Sequence, residues 1–198
     1  MGDERVLGTV IGWSASRDGG VTGGGKFILG GRSPRRREAA EVLRRVFPVR
    51  ETDNLAGARW SKLALNCAMS TLGALSGYSL GEMAARREVR RLALRVIGEV
   101  IDVAREKGVR MEAVSGLRPD WVVKIPSILA HLAIWTAARR RPRQRTGMIA
   151  LLEQGRPSGV EDLNALIDRP LNRRIVGMIH EIENGARSMS PKNLAELR

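Results

Sequence analysis

Residues 54–77 read NLAGARWSKLALNCAMSTLGALSG. Leu55, Ala58, Leu63, Ala64, Leu65, Cys67, Met69, Leu72, Ala74 and Leu75 make this stretch apolar on most sides. A helix that is apolar nearly all round is a buried helix. Yet Lys62, Asn66 and Ser70 recur at every fourth position, which stacks them one above the other on a single face. A lysine inside a buried helix is costly unless it has a partner or a cleft to face. Two readings fit. The stripe is the wall of a polar pocket, or Lys62 runs its aliphatic stem out to solvent while Asn66 and Ser70 bond a neighbouring helix. Asp53 or Asn54 is placed to cap the start of the helix, and Gly77 to stop it.

Outward from that stretch the pattern changes. On the N-terminal side, RVLGTVIGWSAS and VTGGGKFILGG are β-rich and flank a turn signal at Asp18-Gly19-Gly20. They read as a hairpin or as two strands of a larger sheet. The glycines at 23–25 lack phosphate-loop spacing and read as a turn. Ser33 is read as the cap of a helix running from Pro34 to about Val46, and Val49–Thr52 as a further short strand. On the C-terminal side only helical periods appear. Val89, Leu92, Ala93, Val96, Ile97, Val100, Ile101 and Ala104 repeat at helical spacing within 80–108, with 81–86 as a separate short turn. After a loop at 109–118, a helix begins near Asp120 and is interrupted at Pro126. Helices are expected at 146–154, 160–167, 170–184 and 191–197. The reading is mainly α, with 1–52 as a small α+β part and 53–198 as a helical domain.

The 198 residues suffice for a substantial core, built from aliphatic side chains because aromatics make up only 4%. A single cysteine, Cys67, excludes a disulfide within the chain and reads as a small buried hydrophobe, consistent with a cytoplasmic protein. His131 and His180 stand far apart and give no metal-binding pattern. No apolar run is long enough for a membrane span, and the charged start MGDERVLG lacks the apolar core of a signal peptide. The formal charge of +13 would attract anions. The arginines fall in two clusters, at Arg32, Arg35, Arg36 and Arg37, and at Arg139, Arg140, Arg141, Arg143 and Arg145. Neither is interleaved with aromatics, so nucleic-acid binding is the weakest of the readings.

Two motifs carry a resemblance. Trp60-Ser61-Lys62-Leu63-Ala64-Leu65-Asn66 resembles the W-x-K-L-x-x-N motif of the ketopantoate reductase (2-dehydropantoate 2-reductase) family. Residues 155–165, GRPSGVEDLNA, resemble that family's G-R-x-T-E-I-D-x-L-N-G motif, and their order and spacing fit as well. The N-terminal strands are similar to the end of the family's cofactor domain. The resemblance implies a helical substrate-binding and dimerisation domain of the 6-phosphogluconate-dehydrogenase C-terminal-like type, preceded by a remnant of a Rossmann-type domain. It implies NADPH-dependent reduction of a 2-keto acid to a 2-hydroxy acid, in pantothenate biosynthesis. In that scheme Lys62 is the general acid, and Asn66, Ser70, Asn164 and Glu161 bind substrate.

Three positions depart from the family pattern. Ser70 stands where the family has a second asparagine, Gly147 where it has a carboxylate-binding serine, and Gly159 where it has a glutamate. The family's G-x-G-x-x-G turn for the dinucleotide does not occur in this sequence, which therefore reads as a fragment or a short relative. A two-stranded remnant leaves sheet edges that want a partner, so a homodimer is expected. The alternative to the enzyme reading is a non-catalytic helical domain used for dimerisation or ligand binding.

Overall fold

The computed structural model describes residues 6–11, 14–15, 21–22, 26–125, 127–139 and 142–197. The chain divides into two compact units, residues 1–62 with 108–118, and residues 63–107 with 119–198. The architecture is mainly helical with a small sheet, as the periodicity and the resemblance led one to expect.

The first unit contains a three-stranded sheet of β1 (Gly8–Ile11), β4 (Phe27–Gly30) and β5 (Val49–Thr52). β1 pairs antiparallel with β4, Gly8 opposite Gly30, and β4 pairs parallel with β5, Phe27 opposite Val49. A second antiparallel pair, β2 (Ser14–Ala15) and β3 (Val21–Thr22), lies in the same excursion. The expected turns at 18–20 and 23–25 lie outside the described residues. Alternation on β1 buries Val10 and leaves Thr9 and Ile11 outward, whereas β4 is buried along its whole length as the middle strand. Val10 and Ile28 pack on Ala58, Leu55 and Val114.

Helix α1 (Arg36–Arg44) connects β4 to β5. It starts two residues later than the Ser33-capped helix expected from the sequence. Residues 33–36 close a tight turn instead, in which Ser33 Oγ accepts from the Arg35 N–H and the Ser33 carbonyl from the Arg36 N–H. The 108–118 segment is fastened to β5 by side chains. Arg50 bridges Glu112 and donates to the Ala113 carbonyl at 2.8 Å, and the Thr52 hydroxyl donates to Glu112 at 2.7 Å.

Helix α2 (Leu55–Ser76) begins at the expected cap, where Asn54 Oδ1 accepts from the Gly57 N–H at 3.0 Å. It ends at Gly77, whose φ of +76° is the left-handed conformation that glycine adopts without strain. In the second unit, α3 (Leu80–Ala85) carries a full capping box between Ser79 and Glu82. In α4 (Arg87–Glu106) every residue of the expected apolar stripe is buried. Then come α5 (Pro119–Val122) and α6 (Ser127–Arg139), with Pro126 outside the described residues, as are Arg140 and Arg141. α7 (Gly147–Glu153), α8 (Pro170–Glu183) and α9 (Lys192–Ala195) complete the unit. The helix expected at 160–167 is instead two 3₁₀ turns, Val160–Asp162 and Asn164–Leu166. Leu163, at φ −123° and ψ −97°, breaks the helical run between them. Among the described residues no strand follows β5.

Candidate functional site

Helix α2 is built to be surrounded. Ala58, Ala64, Cys67, Ala68, Leu72, Ala74 and Leu75 are all fully buried. Lys62, Asn66 and Ser70 are half-buried, as are Trp60, Leu63, Leu65 and Met69, so the polar stripe expected from spacing lies on a partly accessible stretch of the helix. Among the described residues none of these three side chains has a hydrogen-bond or ion-pair partner. Burial pushes the Lys62 ammonium below the ordinary lysine value of 10.5. Desolvation without a carboxylate partner makes the Lys62 ammonium a readier proton donor than a free lysine. Its neighbour Ser61 is buried in a structural role, accepting from the Glu112 N–H at 3.2 Å and donating to Met111 Sδ at 3.3 Å.

One turn on, Cys67 is free and fully buried, and burial pushes its thiol up to about 12, so it is not a nucleophile at neutral pH. Its carbonyl is a hub. It accepts from the Thr71 hydroxyl and, at 3.2 Å, from the side-chain amide of Asn164. Asn164 lies wholly out of solvent and also donates to Asn172 Oδ1 at 2.8 Å. Asn172 Nδ2 donates to Glu99 at 2.7 Å, and Glu99 accepts the N–H groups of Leu171 and Asn172 at the start of α8. This relay pins the middle of α2 to α8 and α4. Asn164 Oδ1 is the one buried side-chain oxygen without a partner among the described residues. The sequence motif pointed to Asn164; nothing in the sequence pointed to Asn172, eight residues on, or to Glu99, far away along the chain.

At the next turn of α2 the Thr146 hydroxyl donates to the Ser70 carbonyl at 3.4 Å. Thr146 precedes Gly147, the first residue of α7, so two of the positions that depart from the family pattern are neighbours in space. A Cβ built on Gly147 would meet nothing within 4 Å. Gly159 has a φ of +77°, a conformation that a glutamate would adopt only with strain. Glu161 is exposed and pairs with His180 Nε2 at 2.8 Å. The structure thus gathers Lys62, Asn66 and Ser70 on one helix face, sets Asn164 beneath that helix, and sends Glu161 to the surface. Among the described residues no cluster of histidine, cysteine and carboxylate side chains could hold a metal ion.

The family model for the C-terminal domain of ketopantoate reductase PanE/ApbA matches residues 54–183. The chain belongs to the ketopantoate reductase family. Family membership thus rests on the stretch that contains the seam of α2, the α7 junction and the Asn164 relay. No curated protein sequence matches the chain. Among solved structures, the PanE/ApbA family ketopantoate reductase from Ralstonia eutropha JMP134 is similar at 25% identity with a TM-score of 0.69. The alignment covers 90% of this chain and 59% of that one. The 2-dehydropantoate 2-reductase from Geobacter metallireducens GS-15 is similar at 23% identity and a TM-score of 0.62, over 99% of this chain and 60% of that one. D-mandelate dehydrogenase in complex with NADH has the same fold at 13% identity, with a TM-score of 0.73 over 94% of this chain and 71% of that one. The chain thus spans about three fifths of the length of the reductases it resembles.

Proposed function

We propose that this chain is the substrate-binding part of an oxidoreductase that reduces a 2-keto acid to a 2-hydroxy acid with NADPH. The observation that carries the reading is the unpartnered Lys62, half-buried and lowered in pKa, in line with Asn66 and Ser70 on a core helix. When hydride reaches a ketone carbon, negative charge collects on the carbonyl oxygen. An ammonium in a half-desolvated seam stabilises that charge and delivers the proton that completes the hydroxyl. Asn66, one turn away, orients the ketone or its carboxylate through its amide. Ser70 supplies a shorter hydrogen-bonding group beyond it. Asn164 serves the site from below by fixing the α2 backbone at Cys67. Glu161, carried over from the motif, would reach a substrate only by leaving His180.

NADPH, implied by the family, would supply the hydride. No glycine-rich strand–turn–helix cradle for its phosphates occurs among the described residues. Substituting Lys62 and Asn66 in the reductase that carries this domain tests the assignment. Lys62→Ala should lower kcat, and Asn66→Ala should chiefly raise KM. Equal effects on kcat alone would reject the division of roles.

A homodimer belongs to the same proposal. A row of apolar side chains is exposed along α5 and α6, with Trp121 at 59%, Leu129 at 51% and Leu132 at 50%. Exposed apolar side chains of this size are the surface a second copy would cover. A ketopantoate reductase from Staphylococcus aureus with this fold, at 16% identity and a TM-score of 0.61, is described as dimeric. None of the described helices is long and apolar enough to cross a membrane. A cytoplasmic location is part of this proposal.

A further inference from the structure

The first unit contains a cleft of about 880 Å³, set where β1 begins, β4 ends, and α1 and α2 start. Among the described residues its charged lining is Arg32, Arg36, Arg37, Arg59 and one carboxylate, Asp53. Asp53 is already taken, since Arg36 bonds it at 2.6 Å. Arg36 also pairs with Glu51 at 3.4 Å and donates to the carbonyls of Gly31 and Thr52, so it acts as a fixed strut of the wall. Arg32, Arg37 and Arg59 are exposed and, among the described residues, have no carboxylate partner. Arg59 is seated by the backbone, because a Cβ at Gly8 would collide with its guanidinium. The Ser33 side chain lines the same space.

We propose that this cleft binds a phosphate-bearing small molecule through Arg32, Arg37 and Arg59. Three arginines without a carboxylate partner line one cleft, and an anion held among them offsets the repulsion of their like charges. The planar fork of arginine matches two phosphate oxygens at once, which gives the strong, charge-assisted form of hydrogen bond. The volume suits a small organic ligand. Among the described residues no aromatic side chain lines the cleft, so they offer bases no stacking platform, and the observations favour a small phosphate compound over single-stranded nucleic acid. This site and its ligand are independent of the reductase reading.

The test is calorimetric titration of the full chain with inorganic pyrophosphate at fixed ionic strength. The expected result is saturable binding at one site. The triple variant Arg32→Gln, Arg37→Gln, Arg59→Gln should weaken it by at least about tenfold, the scale of losing charge-assisted contacts. A control triple, Arg91→Gln, Lys124→Gln and Arg174→Gln, removes the same charge from exposed positions elsewhere and should leave the affinity within about twofold, as expected for screened distant charges. All six side chains are exposed, so both variants keep the fold, which circular dichroism verifies. Equal weakening by the two triples would assign the binding to diffuse charge and overturn the proposal. Absence of binding would also overturn it. So would a single-stranded oligonucleotide that outcompetes pyrophosphate and loses affinity in the cleft triple.

Discussion

Asn164→Asp is a sharp test of the packing beneath α2. The substitution keeps shape and volume but exchanges the side-chain NH₂ for oxygen. That NH₂ now faces two acceptors, the Cys67 carbonyl at 3.2 Å and Asn172 Oδ1 at 2.8 Å. The assignment is fixed by the network, because Asn172 spends its own NH₂ on Glu99 and so presents oxygen to Asn164. In the variant both contacts become oxygen against oxygen, and a carboxylate sits where the wild-type side chain is fully buried, with no cation in the relay. An uncompensated buried charge costs about 3–5 kcal/mol. Protonated, the same carboxyl donates to one of the two acceptors, and the loss falls to about 1–3 kcal/mol. The new carboxyl therefore has a higher pKa folded than unfolded, and the folded state binds more protons between the two values. Stability then falls as pH rises through that window. Urea denaturation against pH should show a deficit at neutral pH that shrinks in acid. A thermal scan at neutral pH should show a melting temperature lower by about 6–20 °C for a chain of this length. A variant within about 1 kcal/mol of wild type at neutral pH, or a deficit that does not change with pH, would refute the relay.

Three further outcomes follow from the same structure. Lys62 has a lowered pKa when folded and the ordinary 10.5 when unfolded. The unfolded chain thus binds more protons between those values, and stability should rise with pH there by an increment that Lys62→Met abolishes in paired urea titrations. Cys67, buried with its thiol pushed up to about 12, should resist iodoacetamide at neutral pH in the native protein and react at once in urea, as mass spectrometry would show. If the exposed row on α5 and α6 is a dimer face, Leu129→Glu with Leu132→Glu should convert the dimer to monomer in light scattering while leaving the helical circular dichroism unchanged.

Local chemistry made much of this fold legible. The Asn54 cap, the Gly77 stop and the buried stripe of α4 depend on residues within a few turns of one another, and each appears where the pattern placed it. The polar seam of α2 was readable for the same reason, since positions four apart on a helix must align. Local signals misled where the backbone departs from the α conformation. The Ser33 turn postpones α1, and the angles of Leu163 divide 160–167 into two 3₁₀ turns. The contacts that complete the candidate site join distant parts of the chain. Thr146 reaches the Ser70 carbonyl, Asn164 reaches Cys67, and Asn172 reaches Glu99; no spacing rule brings these pairs together. The cleft arginines show the same limit. Arg59 lies on a different element from the cluster at 32–37, and only folding sets it beside them.

In the proposed reaction the Lys62 ammonium acts on the ketone in the transition state. The most direct measurement is ketopantoate-driven oxidation of NADPH by this domain joined to the dinucleotide-binding part of a reductase, comparing Lys62 with Lys62→Met. Methionine keeps the length and packing of the side chain and deletes its charge and proton. The expected result is a fall in kcat of about 10²–10⁴-fold, the usual worth of a positioned general acid, with cofactor affinity unchanged. Lys62→Met that retains full turnover, with a melting temperature equal to or above that of the parent, would make Lys62 a structural lysine and contradict the assignment.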